Sequence, residues 1–230
     1  MQQRDFENCF FQCDNLSDMQ LILTALDEPL ATAWRRFCGD LDFVEIYHGS
    51  ILDVHCDAVV SPANSFGFMD GGVNAAYLRY FGHEIEDRVR SRITEKHHGE
   101  LPIGSADVVK TGDKRIPFLV VAPTMRVPMV LHDSVNAYLA ARAVFLLVKH
   151  GIFSTGTEAG RPIAGRIDRI AFPGLGTGVG KVGPSTCARQ VRAAIEDILL
   201  DRFVPPLTWA EASERHQLLY TDLPRRLQHD

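Results

Sequence analysis

The sequence predicts an α/β protein, a three-layer α/β/α sandwich around a mixed, largely parallel sheet with an extra N-terminal βα unit. Three observations carry that expectation. Short runs rich in β-branched residues alternate with longer stretches of helical periodicity. One of those runs, residues 57–61 (DAVVS), is apolar without alternation, as in a strand covered on both faces. Two glycine-dense loops each leave such a run and enter a helical pattern.

Taken in order, residues 21–26 (LILTAL) read as a strand, and EPLATAWRRFCGD as a helix that stops at Gly39. FVEIYH (43–48) and DAVVS (57–61) are the next two strands. A helical stretch runs from Gly72 to about Thr94, divided at Gly82, with Val73, Ala76, Tyr77, Tyr80, Ile85, Val89 and Ile93 expected on one side. ADVVK (106–110) and PFLVVAP (117–123) form a strand pair joined by the turn TGDKR. Residues 134–150 give the clearest helix, since Val135, Tyr138, Leu139, Arg142, Ala143, Leu146 and Leu147 repeat at three and four. GIFSTGTEAGRPIAGR reads as a surface loop, with His97-His98 in another exposed polar loop. RIAFP (169–173) is a strand, residues 186–203 a helix, and a short helical tail follows Pro205-Pro206. These readings divide the chain into an extension packed on the sheet (1–40), a core (41–203) and a tail (204–230).

At 230 residues the chain can bury one sizeable core. Hydrophobic residues make up 46% and the net charge is −5, so the basic footprint of a duplex-binding protein is missing. Arg35-Arg36 and Arg225-Arg226 read as solvated surface. Five scattered cysteines (Cys9, Cys13, Cys38, Cys56, Cys187) argue against a disulfide framework and for a reducing compartment. Cys9 and Cys13 lack a second ligand pair at zinc spacing, and no metal or cofactor is expected. The polar N-terminus does not resemble a secretion signal, and no apolar run is long enough to span a bilayer. The expected location is therefore cytoplasmic, with no membrane partner.

The first glycine loop lies in SPANSFGFMDGGVNAAY (61–77) and the second in GLGTGVGKVG (174–183). Both follow strands, where α/β sheets bind ligands. Gly71-Gly72, and Gly174, Gly176, Gly178 and Gly180, suit a cradle of backbone N–H groups that holds a diphosphate ahead of a helix. A P-loop is excluded, because Leu175 stands where its first glycine belongs and Val182 where Ser or Thr belongs. The G-x-G-x-x-G spacing at Gly178, Gly180 and Gly183 runs into Pro184 and has no acidic residue at a following strand end. A flexible turn without ligand is the bland alternative for either loop alone.

With these loops in view, the chain resembles the macrodomain family. DAVVSPANSFGFMDGGVNAAYLRYFG is similar to the family's buried strand, Ala-Asn pair and glycine cluster; RIAFPGLGTGVG is similar to its second loop, and GSILDVHCDAVV to its opening. The resemblance covers about residues 41–203. It implies an ADP-ribose-binding α/β/α fold, with ADP-ribose or an ADP-ribosylated substrate as partner and nucleic acid only as such a substrate. By the same resemblance, Asn64 faces the distal ribose, and Gly71, Gly72 and Val73 lie beside that ribose and the diphosphate. Gly176, Thr177, Gly178, Val179 and Gly180 match the diphosphate loop, and Ser50 and Ile51 the adenine-facing pair.

Three positions depart from the family pattern. Asn74 stands where hydrolytic members carry an aspartate, leaving Asp70 as a substitute acid–base group or a plain turn residue. Ser50 replaces the adenine-reading aspartate, with Asp53 nearby; Val179 replaces a stacking aromatic, a face that Phe66 or Phe68 would have to supply. Thr124 and Arg126 end a strand on the ligand side, so Arg126 is a candidate phosphate partner, with a surface ion pair as its alternative. No lysine lies between Asp57 and Lys96, which discounts lysine-based chemistry in the first loop. Three functions follow: hydrolysis of O-linked ADP-ribosyl groups with Asn64, Asn74 and Asp70 as the catalytic set, a non-catalytic ADP-ribose reader, or a structural domain whose tail (209–220) docks a partner.

Overall fold

A computed structural model describes residues 19–225; Cys9, Cys13 and Arg226 lie outside them. Six strands form one sheet: β1 (Gln20–Ala25), β2 (Val44–His48), β3 (Ala58–Ser61), β4 (Asp107–Lys110), β5 (Phe118–Val121) and β6 (Arg169–Phe172). Their spatial order is β2-β1-β6-β3-β5-β4. Every pairing is parallel except β4 with β5, which close an antiparallel hairpin.

The helices cover both faces. α1 (Glu28–Cys38), α4 (Asn136–His150) and α5 (Pro184–Ala194) pack on one, where Trp34, Phe145, Phe172 and Val191 are buried. α2 (Gly72–Phe81) and α3 (Glu84–His97) pack on the other, around Tyr77, Ile85, Val89 and Leu119. β3 is buried at all four residues because it lies mid-sheet under helices from both sides. This is the three-layer sandwich the alternation predicts. No helix among the described residues is long and apolar enough to cross a membrane.

The structure also corrects several boundaries. The N-terminal βα unit is built into the sheet: β1 lies between β2 and β6, and β2 is the outer strand. Gly82 does divide the long helical stretch; its φ of 87° breaks the helix, and α3 then runs on to His97. His97 is therefore not a loop residue. Its ring meets Asp107 at 2.8 Å. Tyr80, assigned to the apolar side, is exposed.

The segment after α4 is more than a surface loop. Phe153, Ile163 and Ile167 are buried, Glu158 pairs with Arg161 and Arg166, and Ser154 and Thr155 accept from Arg92. The predicted 186–203 helix is shorter at its far end. It starts at Pro184, whose missing N–H costs nothing in a first turn, and becomes a wider π-type turn over Ile195–Leu199. Asp201, with φ of 51°, cannot continue it, and an exposed segment leads to α6 (Trp209–Leu218).

Candidate functional site

The carboxyl ends of β1, β6, β3 and β5 open onto one cleft of about 530 Å³, within the size range of small-molecule sites. Gly71, Gly72, Val73 and Asn74 form one wall, and Gly174, Gly176, Thr177, Gly178, Val179 and Gly180 the other. The two glycine loops, 100 residues apart in sequence, thus face a common space.

Both walls present unused backbone donors. α2 begins at Gly71 with no side-chain cap, and its first intrahelical bond runs from Ala75 N to Gly71 O. The N–H groups of Gly72, Val73 and Asn74 have no partner among the described residues. The second loop is held from behind: Val182 N bonds Gly176 O, Lys181 N bonds Gly178 O, and Leu131 N bonds Gly180 O. That leaves the N–H groups of Gly176 through Gly180 unbonded among the described residues. Two glycines are required here. Gly176 has a φ of 70°, and a Cβ on Gly180 would sit 2.5 Å from Gly176 O.

Such a wall attracts anions through fixed partial positive charge rather than side-chain cations. The charged residues lining the cleft are Asp27, Asp70 and Arg79. Asp27 caps α1, with Oδ1 accepting from Leu30 N at 2.9 Å. Asp70 is exposed beside the glycines and has no partner among the described residues.

The asparagines are positioned by the fold. Asn64 Oδ1 accepts from Phe66 N (3.1 Å) and Phe68 N (3.3 Å), while Nδ2 donates to Phe68 O (3.0 Å). Its amide therefore shapes the 64–68 turn and keeps one N–H for a ligand. Asn74 is buried, and its Oδ1 accepts from Ser61 Oγ at 2.7 Å. The hydroxyl fixes the amide so that its NH₂ is the group left beside the cleft. Thr124 also lines the cleft; its backbone O accepts from Asn136, while its buried Oγ1 has no partner among the described residues.

Other sequence candidates lie elsewhere. Arg126 is outside the cleft, forked onto Glu100 at 2.7 and 3.1 Å and stacked over Phe66, so the surface ion pair describes it. Glu100 holds that guanidinium charged and is itself held below the usual carboxylate range. Asp53 does not line the cleft either. Phe68 does, half-exposed at the rim under Arg90. Ser50 and Ile51 line the cleft where the chain leaves β2.

The described cysteines are remote from this chemistry: burial pushes the Cys38, Cys56 and Cys187 thiols up to about 12, and none lines the cleft. Among the described residues no group of His, Cys, Asp and Glu is placed to hold a metal. Sequence reading missed Thr24, Asp27 and Arg79. The first two were findable, since Thr24 ends a strand and Asp27 precedes EPL as a helix cap.

Comparison with known proteins settles the relationship. The family model described as a Macro-like domain matches residues 50–206. The chain belongs to that family. A protein of Aquifex aeolicus is 33% identical to this Macro-like chain over 155 residues, covering 67% of it and 80% of the relative. One from Aeropyrum pernix is 32% identical over 146 residues, covering 64% and 67%.

Among solved structures, the macrodomain of Mycobacterium tuberculosis DarG covers 65% of the Macro-like chain and 87% of its own, with TM-score 0.51 and 19% identity. An Oceanobacillus iheyensis macrodomain variant with ADPR covers 90% and 92%, with TM-score 0.54 and 16% identity. At such identities the likeness supports the macrodomain fold.

Proposed function

We propose that this chain binds ADP-ribose or a related NAD-derived nucleotide in the cleft between its two glycine loops. The observation that carries the reading is the pair of facing walls of N–H groups unbonded among the described residues, one at the start of α2, around a space of about 530 Å³. A diphosphate bridges two such walls without needing a side-chain cation. The Oceanobacillus iheyensis macrodomain, whose fold this chain shares, has been solved with ADPR and with ADP.

Thermal unfolding with added ADP-ribose tests this reading. Ligand at a hundredfold excess over Kd stabilises by about 2.7 kcal/mol, which raises Tm by about 5–10 °C for a chain of this size. An unchanged Tm at millimolar ADP-ribose removes the reading.

A second reading, hydrolysis of an O-linked ADP-ribosyl group, is favoured by Asp70, an exposed carboxylate beside the glycines that is unpaired among the described residues. In it, Asn64 and Asn74 orient a water toward the anomeric carbon. Asp70 takes the water's proton as the water oxygen bonds to that carbon and the carrier oxygen leaves with its bonding pair, and then returns the proton to the departing oxygen. Asn74 cannot take that role, because an amide is not a base at neutral pH. Release of ADP-ribose from a mono-ADP-ribosylated protein is expected to fall about 100-fold in Asp70→Asn. Binding without release by the unaltered protein identifies a reader instead.

A further inference from the structure

The family match begins at residue 50, yet one end of the cleft is built from residues before it. Thr24, Leu26, Asp27 and Leu30 of the N-terminal βα unit line that end, beside Ser50 and Ile51 at the exit of β2. The Ala25–His48 pairing and the bond from Gly49 N to Ala25 O at 2.8 Å hold the two segments side by side where they leave the sheet. Asp27 and Ser50 each stand two residues past that pair. α1 also borders the second glycine loop, since a Cβ on Gly174 would sit 2.8 Å from Leu30 Cδ2. This end therefore adjoins the diphosphate wall.

Leu26 has no packing role. It is 81% exposed and belongs to neither core cluster, although Leu21–Ala25 before it are all buried. A leucine held out at the mouth of a cleft offers apolar surface that a flat base can cover, with release of water.

Two polar groups beside it decide which base edge fits. Asp27 Oδ1 accepts from Leu30 N at 2.9 Å, while the second carboxylate oxygen has no partner among the described residues. Ser50 Oγ accepts from Leu52 N at 3.2 Å, which leaves the hydroxyl proton to be donated. Glu28, the neighbouring carboxylate, is taken by Arg35 at 2.7 Å and His48 at 3.2 Å. An acceptor next to a donor is the complement of a base edge that sets a donor next to an acceptor.

We propose that the N-terminal βα unit completes the nucleotide site, with Asp27 as the specificity-determining residue that selects a 6-aminopurine and Leu26 as the cover of its ring. The N6 amino donor of adenine lies beside the N7 acceptor, so Asp27 accepts from N6 while Ser50 donates to the ring nitrogen. Hypoxanthine carries an oxygen in place of N6 and sets its lone pairs against the carboxylate. The inference rests on the nucleotide reading above and deepens it.

Calorimetric titration of the full chain with ADP-ribose and with inosine diphosphate ribose, which differ at that exocyclic position, tests it. The native protein is expected to bind ADP-ribose at least about fivefold tighter. Asp27→Ser keeps a helix cap of equal rank and removes the free carboxylate oxygen, so the ratio should collapse toward one. A purely structural role for Asp27 would instead lower Tm and both affinities together and leave the ratio where it was. Leu26→Ala should weaken both nucleotides alike, by about fivefold. Equal affinities in the native protein, an inosine preference that Arg79→Ala removes, a ratio unchanged in Asp27→Ser, or native affinity in Leu26→Ala overturns the proposal while leaving the nucleotide reading intact. Binding of neither nucleotide overturns both.

Discussion

Replacing Asp107 by asparagine is expected to lower the unfolding free energy by about 3 kcal/mol and Tm by about 10 °C. The Asp107 side chain is 3% exposed and accepts both arms of the Arg92 fork at 2.9 and 3.0 Å, with His97 at 2.8 Å and Lys96 at 3.3 Å. Arg92 also reaches Ser154 and Thr155, so one carboxylate ties α3, β4 and the segment after α4 together. Asparagine keeps the shape and removes the charge, leaving a buried guanidinium without its counter-ion. Arg92→Met with Asp107→Leu removes both charges, and it should recover much of the loss if the unpaired charge is the cause.

The same carboxylate makes the fold acid-sensitive. Burial alone pushes the Asp107 carboxyl up, but the Arg92 fork, His97 and the Val108 N–H outweigh it and hold the carboxyl below its ordinary 3.8. A group lowered in the folded state stabilises fully above its unfolded value of about 3.9 and loses that contribution as pH falls through the folded value. Urea unfolding of the native protein should weaken below about pH 4 more steeply than that of Asp107→Asn.

What could be read in the sequence was whatever depends on near neighbours. β3 announced itself as an unbroken apolar run, and Gly82 as the break between α2 and α3. The two glycine loops stood out because a glycine before a helix leaves donors that a Ser or Asp would have occupied. Features fixed by distant partners were illegible. Nothing around Arg126 names Glu100, 26 positions away, as its partner, and nothing around Arg92 names Asp107. The place of β1 inside the sheet depends on β6, which arrives almost 150 residues later. Asn74 looked like a lost acid. The structure shows an amide held in place by Ser61, a strand-end hydroxyl thirteen residues earlier.

Gly71→Asp separates folding from function at the point where the two meet. Gly71 is the N-cap of α2 with extended backbone (φ −138°), a conformation any residue adopts, and a Cβ there meets nothing within 4 Å. Aspartate is a better helix cap than glycine, so unfolding free energy should rise by a few tenths of a kcal/mol. The bonds that bring this gain are those from the first-turn N–H groups of α2, the donors assigned to the diphosphate. The new carboxylate takes the anion's place and repels it, at a cost of about 4 kcal/mol for charges some 4 Å apart near a protein surface. ADP-ribose affinity should then fall by at least about 100-fold with Tm unchanged or slightly higher. Gly71→Ala, which adds the same Cβ without charge or cap, should keep most of the binding. A stabilised Gly71→Asp that still binds ADP-ribose as the native protein does would place the diphosphate away from α2, and the helix N-terminus would then be uncapped for some reason other than the ligand.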